Sequence, residues 1–148
     1  MKISIVTPTY NSAQTLGKTL QSLAIQDYKN FEVIIIDNLS TDSTLSEAKK
    51  YSDRLDIKIF SEKYKGIADA FNKGITKAEG DVIAILNSDD FYLSADVLAK
   101  ISTEFSALDI DIVHGNMLFN DDLLGSNVRR PLECSPREAF PFNHPTFF

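Results

Sequence analysis

The stretch Asp81-Val82-Ile83-Ala84-Ile85-Leu86-Asn87-Ser88-Asp89-Asp90 runs an apolar segment into a polar turn that ends in adjacent carboxylates. The same transition occurs upstream. Asp37 and Asp42 follow the apolar run Phe31 to Ile36, Glu62 follows Ile57 to Phe60, and Thr7 to Asn11 close the run that starts at Ile3. Carboxylates gathered in one crevice are hard oxygen donors suited to Mg²⁺ or Mn²⁺. Mg²⁺ takes only one or two of them, leaving phosphate and water to complete its shell. A nucleoside diphosphate bridged by such a cation suits an acidic crevice, because the metal cancels charge that would otherwise repel the phosphates.

For these residues to meet, the chain must bring the ends of several strands together. Ile3 to Thr7 reads as a strand, Pro8 to Ser12 supplies turn and cap residues, and Ala13 to Ala24 carries Leu16, Leu20, Leu23 and Ala24 at helical spacing. The cycle repeats with a strand at Phe31 to Ile36, a loop at Asp37 to Ser43 and a helix at Thr44 to Tyr51. A strand at Ile57 to Phe60 precedes a helix at Ile67 to Ala78, whose Ile67, Ala70, Phe71 and Ile75 share one face. Gly80 and Asp81, as C-cap and turn, separate that helix from a strand at Val82 to Leu86. Continuous apolar runs suit strands buried on both faces, and strand–helix alternation predicts an α/β fold with a mainly parallel central sheet and right-handed crossovers. In open sheets of this kind ligands bind beyond the carboxyl ends of the strands, where all of these polar segments fall.

The pattern weakens after Asp90. Ser94 to Leu108 predicts a helix capped at Ser94, with Val97, Leu98, Ile101 and Phe105 inward, and Ile110 to His114 and Asn116 to Phe119 predict two short strands around Gly115 that depart from the parallel order. The segment Asn127 to Phe148 has prolines at 131, 136, 141 and 145 and ends in an apolar run with no closing helix. The expectation is one domain over residues 1–148, cut short at its C-terminus.

Composition excludes several classes. The chain has 148 residues, 43% of them apolar and 24% charged, enough for a packed core and unlike a disordered segment. A formal net charge of -6 with no basic block argues against nucleic acid as a partner, since such affinity comes mainly from phosphate neutralisation. The lone cysteine, Cys134, has no partner for a disulfide or a thiolate metal site, which fits a reducing compartment. The short apolar start, broken by Pro8, is neither a signal peptide nor a membrane span. A cytoplasmic protein is expected, at most associated with the inner face of a membrane.

Each acid also has a plainer reading. Asp89-Asp90 before Phe91 and Ser94 suits a loop entering a helix, Asp42 suits a cap better than a ligand, and Asp121-Asp122 suit an exposed turn. Asp69 lies opposite Phe71 on its helix, where a solvated carboxylate is ordinary, and His114 beside Gly115 suits a structural histidine. Their joint placement at strand ends favours a site.

Taken together, Ile5-Val6-Thr7-Pro8-Thr9-Tyr10-Asn11, Val33 to Asp42, Gly66-Ile67-Ala68-Asp69-Ala70-Phe71-Asn72-Lys73-Gly74-Ile75 and Gly80 to Asp90 resemble the family 2 glycosyltransferases in order and spacing. The resemblance covers about the first two thirds of the chain. It is nearest to bacterial members that build capsule, exopolysaccharide or lipopolysaccharide sugars. It implies a GT-A (Rossmann-like) fold, a nucleoside-diphospho-sugar donor with a UDP-sugar foremost, Mg²⁺ or Mn²⁺, and inverting transfer to a saccharide or lipid-linked saccharide. Carried onto this chain, Pro8, Thr9 and Tyr10 line the nucleoside pocket, Asp37 binds base or ribose, Asp89 lies at the ribose or beside the metal, and Asp90 ligates the metal. Asp69 and Asn72 match polar positions near the donor, and Lys65 is the nearest candidate for a phosphate-facing cation. His144-Pro145 matches a position before the acceptor region. The general base that such a transfer requires falls beyond Phe148 in the family pattern, so these residues are expected to bind donor and metal but to turn over poorly.

Other readings want features that are missing. A sugar nucleotidyltransferase would want a Gly-rich, basic loop after the first strand, and Pro8 to Ser12 supplies neither. A dinucleotide oxidoreductase would want G-x-G-x-x-G there. A non-catalytic nucleotide-sugar-binding remnant stays open as the alternative to an enzyme.

Overall fold

The computed structural model describes residues 1–107, 110–121 and 125–129. Four parallel strands, β1 (Ile3–Thr9), β2 (Phe31–Asp37), β3 (Ile57–Ser61) and β4 (Val82–Ile85), form one sheet in the order β3-β2-β1-β4. Helices α1 (Leu16–Ala24), α2 (Thr44–Lys49), α3 (Ile67–Lys77) and α4 (Val97–Ala107) connect or follow them. β1 and β2 are buried along their whole length, as expected of mainly apolar strands covered on both faces.

Alternation along the strands divides the core. Ile3, Ile5, Val33, Ile35 and Ala84 pack against Leu16, Leu20 and Leu23 of α1, Ala48 of α2, and Leu98 and Ile101 of α4. Val6, Ile34 and Ile36 face the other way, against Ala70 of α3. The result is three layers, with α1, α2 and α4 on one face and α3 on the other.

Each of the first three strands runs past its apolar stretch into the polar residues that follow: Thr9, Asp37 and Ser61 are still in register. Pro8 lies inside β1 at no cost in hydrogen bonds. Thr9 accepts from Asn38 N and Val6 accepts from Leu86 N, so odd residues of β1 face β2 and even residues face β4. β4 pairs only as far as Val6, so Pro8 presents its missing N–H where the neighbouring strand has already ended.

Several elements differ from the sequence expectation. The first helix starts at Leu16 rather than Ala13, because Thr15 N and Leu16 N both donate to Ser12 O in a turn that precedes it. α4 starts at Val97, not Ser94: Ser94 Oγ donates to Asp96 Oδ1, and Asp96 O accepts the first helical bond, from Lys100 N. The antiparallel departure is real but displaced, because β5 (Met117–Asp121) pairs with β6 (Gly125–Arg129), while of Ile110 to His114 only His114 makes a bridge. Asp121 closes β5; Asp122 and the proline-rich tail lie outside the described residues. Among the described residues no helix is long and apolar enough to cross a membrane.

The inward face of α3 also differs. Ile67 and Ile75 are exposed, and the contact with β1 is made through Ala70 and Gly74. A Cβ built on Gly74 would lie 2.2 Å from Val6 Cγ1, so the helix approaches as close as a bare backbone allows and the larger side chains flank the contact. Gly80 likewise acts by close approach and not as a left-handed cap: its Cβ would meet Ser4 N at 2.7 Å and Lys2 O at 2.8 Å.

The amino ends of the strands are closed by an ion cluster around one buried carboxylate. Glu32, fully buried, accepts from Lys2 Nζ at 2.8 Å, Ser4 Oγ at 2.5 Å and Glu79 N at 2.8 Å, and pairs with Lys58 at 2.9 Å. Burial alone would raise its pKa, but the donations from Lys2, Ser4, Lys58 and the Glu79 amide outweigh it and hold the carboxyl at about 2.

Two predictions follow from this packing. Gly74→Ala should destabilise the fold by about 1–3 kcal/mol through overpacking, and combining it with Val6→Ala should give a smaller loss than the sum of the single changes in chemical denaturation. Because the folded pKa of Glu32 lies below its unfolded value, its contribution is complete above about pH 4.5 and is lost as pH falls toward 2. It amounts to on the order of 3 kcal/mol, so Glu32→Gln should lower the neutral-pH stability and flatten the acid limb of a stability–pH curve.

Candidate functional site

The sheet order places the crevice. The chain leaves β1 to one side toward β2 and returns on the other side as β4, so the loops after β1 and β4 diverge at their carboxyl ends, the position where open α/β sheets bind ligands. Ser88 Oγ donates to Ser12 Oγ at 2.9 Å across this divide, joining the turn that carries Asp89 and Asp90 to the loop that carries Tyr10.

On the β1–β2 side, Asp37 is fully buried and heavily engaged. Its oxygens accept from Thr9 Oγ1 at 3.0 Å, Ser40 N at 3.0 Å, Ser40 Oγ at 2.5 Å and Ser61 Oγ at 2.7 Å. Burial pushes its pKa up, yet the donors from Ser40, Ser61 and Thr9 prevail and keep it below the usual carboxylate range. Pro8 and Thr9 are buried, whereas Tyr10 stands 59% exposed at the mouth. Asn11, with φ 48°, receives Thr41 N on Oδ1 at 2.9 Å and donates its own N–H to Ser40 Oγ at 2.9 Å. Asp42 accepts from Ala13 N and Thr44 N, so it holds the turn one residue before the N-cap Ser43 and does not itself cap α2.

On the β4 side, Asp89 is exposed and Asp90 half-buried. Asn87 Nδ2 donates to Asp90 Oδ2 at 3.1 Å, and Asp90 N donates to Asn87 O, so the turn holds the second carboxylate. The segment beyond is pinned by Gln26, a buried side chain at the end of α1 that donates to Ser22 O and Ser94 O and accepts from Leu98 N. Among the described residues no group of three or more His, Cys, Asp or Glu could hold a metal. Asp89 and Asp90 fit a hard divalent cation only in the shared manner, with ligand phosphate and water supplying the other oxygens.

The third segment is tied in by Tyr64, whose N–H donates to Asn38 Oδ1 and whose hydroxyl donates to Thr9 O. Lys65 is exposed, and its N–H donates to Asp69 Oδ2 at 2.8 Å, so Asp69 closes the first turn of α3 behind Gly66, where φ is 83°. Asn72 lies one turn further along α3, exposed. Glu62 is taken by Lys73 at 2.9 Å and Lys77 at 3.8 Å. His144 and Pro145 lie outside the described residues.

Thr9, Tyr10 and Asp37 are thus gathered in one loop system, with Asp89 and Asp90 linked to it through Ser88 and Ser12. Lys65, Asp69 and Asn72 sit at the start of α3 behind Tyr64. Ser12, Ser40, Ser61, Tyr64 and Ser88 lie in the turn and strand-end segments that the sequence singled out but carried no role there, and Gln26 was missed; together they build the site by binding its backbone and carboxylates. Only Ser40 carried a local signal, at three residues beyond an aspartate in a turn.

Comparison with known proteins agrees with this architecture. The model of the family described as "Glycosyl transferase family 2" matches residues 4–146. The poly(ribitol-phosphate) β-N-acetylglucosaminyltransferase TarS of Staphylococcus aureus is 34% identical over 122 residues, which cover 80% of this chain and 20% of TarS. The Escherichia coli UDP-Glc:α-D-GlcNAc-diphosphoundecaprenol β-1,3-glucosyltransferase WfgD is 32% identical over 129 residues, 85% of this chain and 50% of that protein. The chain therefore spans half or less of the length of these curated relatives. Among solved structures, S. aureus TarS 1–349 in complex with UDP-GlcNAc superposes with a TM-score of 0.66 at 34% identity, over 70% of this chain and 30% of that one. The mannosyltransferase PcManGT of Pyrobaculum calidifontis, in complex with GDP-Man and Mn²⁺, superposes with a TM-score of 0.70 at 26% identity, over 76% and 34%. The parallel sheet with its strand-end crevice is the GT-A arrangement of these transferases, and the chain belongs to glycosyl transferase family 2.

Proposed function

We propose that this chain binds the nucleoside-diphospho-sugar donor, a UDP-sugar foremost, of an inverting glycosyltransferase that acts in cell-surface polysaccharide synthesis. The observation that carries the reading is the Ser88–Ser12 link at the switch point, which sets the Asp89-Asp90 turn beside the Tyr10 and Asp37 loops. A diphosphate between these halves has its nucleoside on one side and a cation-binding pair of acids on the other.

In this reading Tyr10 offers the nucleoside an exposed aromatic face at the end of the buried Pro8-Thr9 segment. Asp37 reaches base or ribose by exchanging one of its hydroxyl donors, Ser40 or Ser61, for a ligand hydroxyl or N–H. Asp90, steadied by Asn87, holds Mg²⁺ or Mn²⁺ with Asp89 beside it. Bound there, the cation would neutralise the charge that collects on the departing diphosphate. Lys65, Asp69 and Asn72 approach the donor from the start of α3. The acceptor is a saccharide or lipid-linked saccharide, met at the inner face of the membrane. No described residue is assigned as the base that takes the acceptor's proton. A binding module without turnover would share the donor site, and acceptor-dependent sugar transfer separates the two.

Calorimetry with UDP and Mn²⁺ tests the donor site. Asp90→Asn should weaken binding at least about tenfold in Mn²⁺ and make no difference in a chelator; equal binding by both proteins in Mn²⁺ would remove the metal-bridged site. Asp37→Asn turns donor groups toward donors in a buried setting, so it should cost about 2 kcal/mol of stability and weaken UDP binding, as read by thermal melts and the same titration.

A further inference from the structure

Leu39 occupies a backbone conformation that its side chain disfavours. Its φ is 56°, in the left-handed region where a residue with a Cβ is strained and glycine is the ordinary occupant. The leucine side chain gains nothing from the core in return, being 53% exposed.

The flanking residues explain how this geometry persists. Asn38 N donates to Thr9 O at 2.9 Å and Asn38 Oδ1 receives Tyr64 N at 2.9 Å on one side. On the other, Ser40 donates N–H and O–H to the buried Asp37 carboxylate. Two links from β1 to β2, Asn38 N to Thr9 O and Asn11 N to Ser40 Oγ, bracket Tyr10 and Leu39 on adjacent loop tips. The tyrosine is 59% exposed and the leucine 53%, so an apolar branched side chain is held in water on the loop tied to the one that carries an exposed ring. Strain held in place by such over-determined neighbours marks a position where the side chain has a task.

We infer that Leu39 is a ligand-contacting specificity residue: with Tyr10 it forms the apolar walls that receive the planar nucleobase of the donor. The inference rests on the proposed donor site and adds to it a residue that neither metal nor phosphate binding involves. The wall consists of the leucine side chain itself, so its removal affects the heterocycle and leaves the diphosphate end alone. Glycine at this position relieves the left-handed strain while adding freedom to the unfolded chain, so the two effects on stability largely cancel.

The test compares wild type, Leu39→Gly and Leu39→Ala by calorimetry with UDP, GDP and inorganic pyrophosphate, each with Mn²⁺. Both variants should bind UDP or GDP, whichever wild type prefers, about five- to twentyfold more weakly, the loss expected for one apolar contact. Pyrophosphate affinity should be unchanged, and melting temperatures should lie within about 2 °C of wild type. Unchanged nucleotide affinity in both variants, or equal losses for nucleotide and pyrophosphate, overturns the Leu39 inference while the donor site stands. A loss in Leu39→Gly alone assigns the effect to loop freedom and also overturns it. Absence of nucleotide binding by the wild-type chain overturns the donor site itself and the inference with it.

Discussion

The pairing of β1 with β2 is the constraint from which the rest follows. The two strands are buried from end to end and stay in register from Ile3 opposite Phe31 to Thr9 opposite Asp37. Their apolar residues are consumed by the two cores, and apart from Thr7, whose buried hydroxyl has no hydrogen-bond partner among the described residues, the polar side chains fall near the ends and are satisfied locally. Asp37 is the extreme case. A carboxylate taken out of water beside Thr9 draws Ser40 and Ser61 onto itself, and in doing so fixes the loop after β2 and the end of β3. Asn11 and Ser12 extend the same network to the loop after β1 and, through Ser88, to the turn after β4.

The two buried carboxylates of β2 meet opposite treatment. Glu32, at the amino end and on the α3 face, is neutralised by Lys2 and Lys58, which bind Glu79 as well. Asp37, at the carboxyl end, is met by hydroxyls and an amide, which stabilise its charge without cancelling it. The amino end of the sheet is therefore electrostatically closed, while the carboxyl end keeps the charges of Asp37, Asp89 and Asp90 in one neighbourhood. That asymmetry leaves negative charge at Asp37 without a cationic partner among the described residues, in a chain whose formal net charge is -6.

Much of this was legible in the sequence. The mainly apolar runs at Ile3, Phe31, Ile57 and Val82 specified parallel strands, of which β1 and β2 are buried throughout while β3 and β4 are mostly half-buried, and Leu16, Leu20 and Leu23 specified the inward face of α1, because burial on one side of a helix leaves a periodic trace. The inward face of α3 was misread through Ile67 and Ile75, since periodicity rewards large apolar residues and cannot register that the helix approaches close enough to need glycine. The start of α4 was misread for a related reason: Ser94 looks like a cap, but the segment before Val97 is held by Gln26, far away in the chain. The strand pairing of residues 117–129 escaped because short, polar strands carry little alternation.

Residue types and their order determined by themselves that acids and turn residues would gather at strand ends, because a chain that alternates buried strands with helices has nowhere else to put them. Tertiary structure decided which of those acids is sealed and which is accessible. Asp37 and Asp89 look alike in the sequence, each following an apolar run, yet one is buried beneath serine and threonine hydroxyls and the other stands in solvent. The difference lies in the partners. Ser61 reaches Asp37 only because β3 lies in register beside β2, and Ser12 reaches Ser88 only because the chain crosses the sheet to place β4 next to β1, contacts that no local spacing encodes.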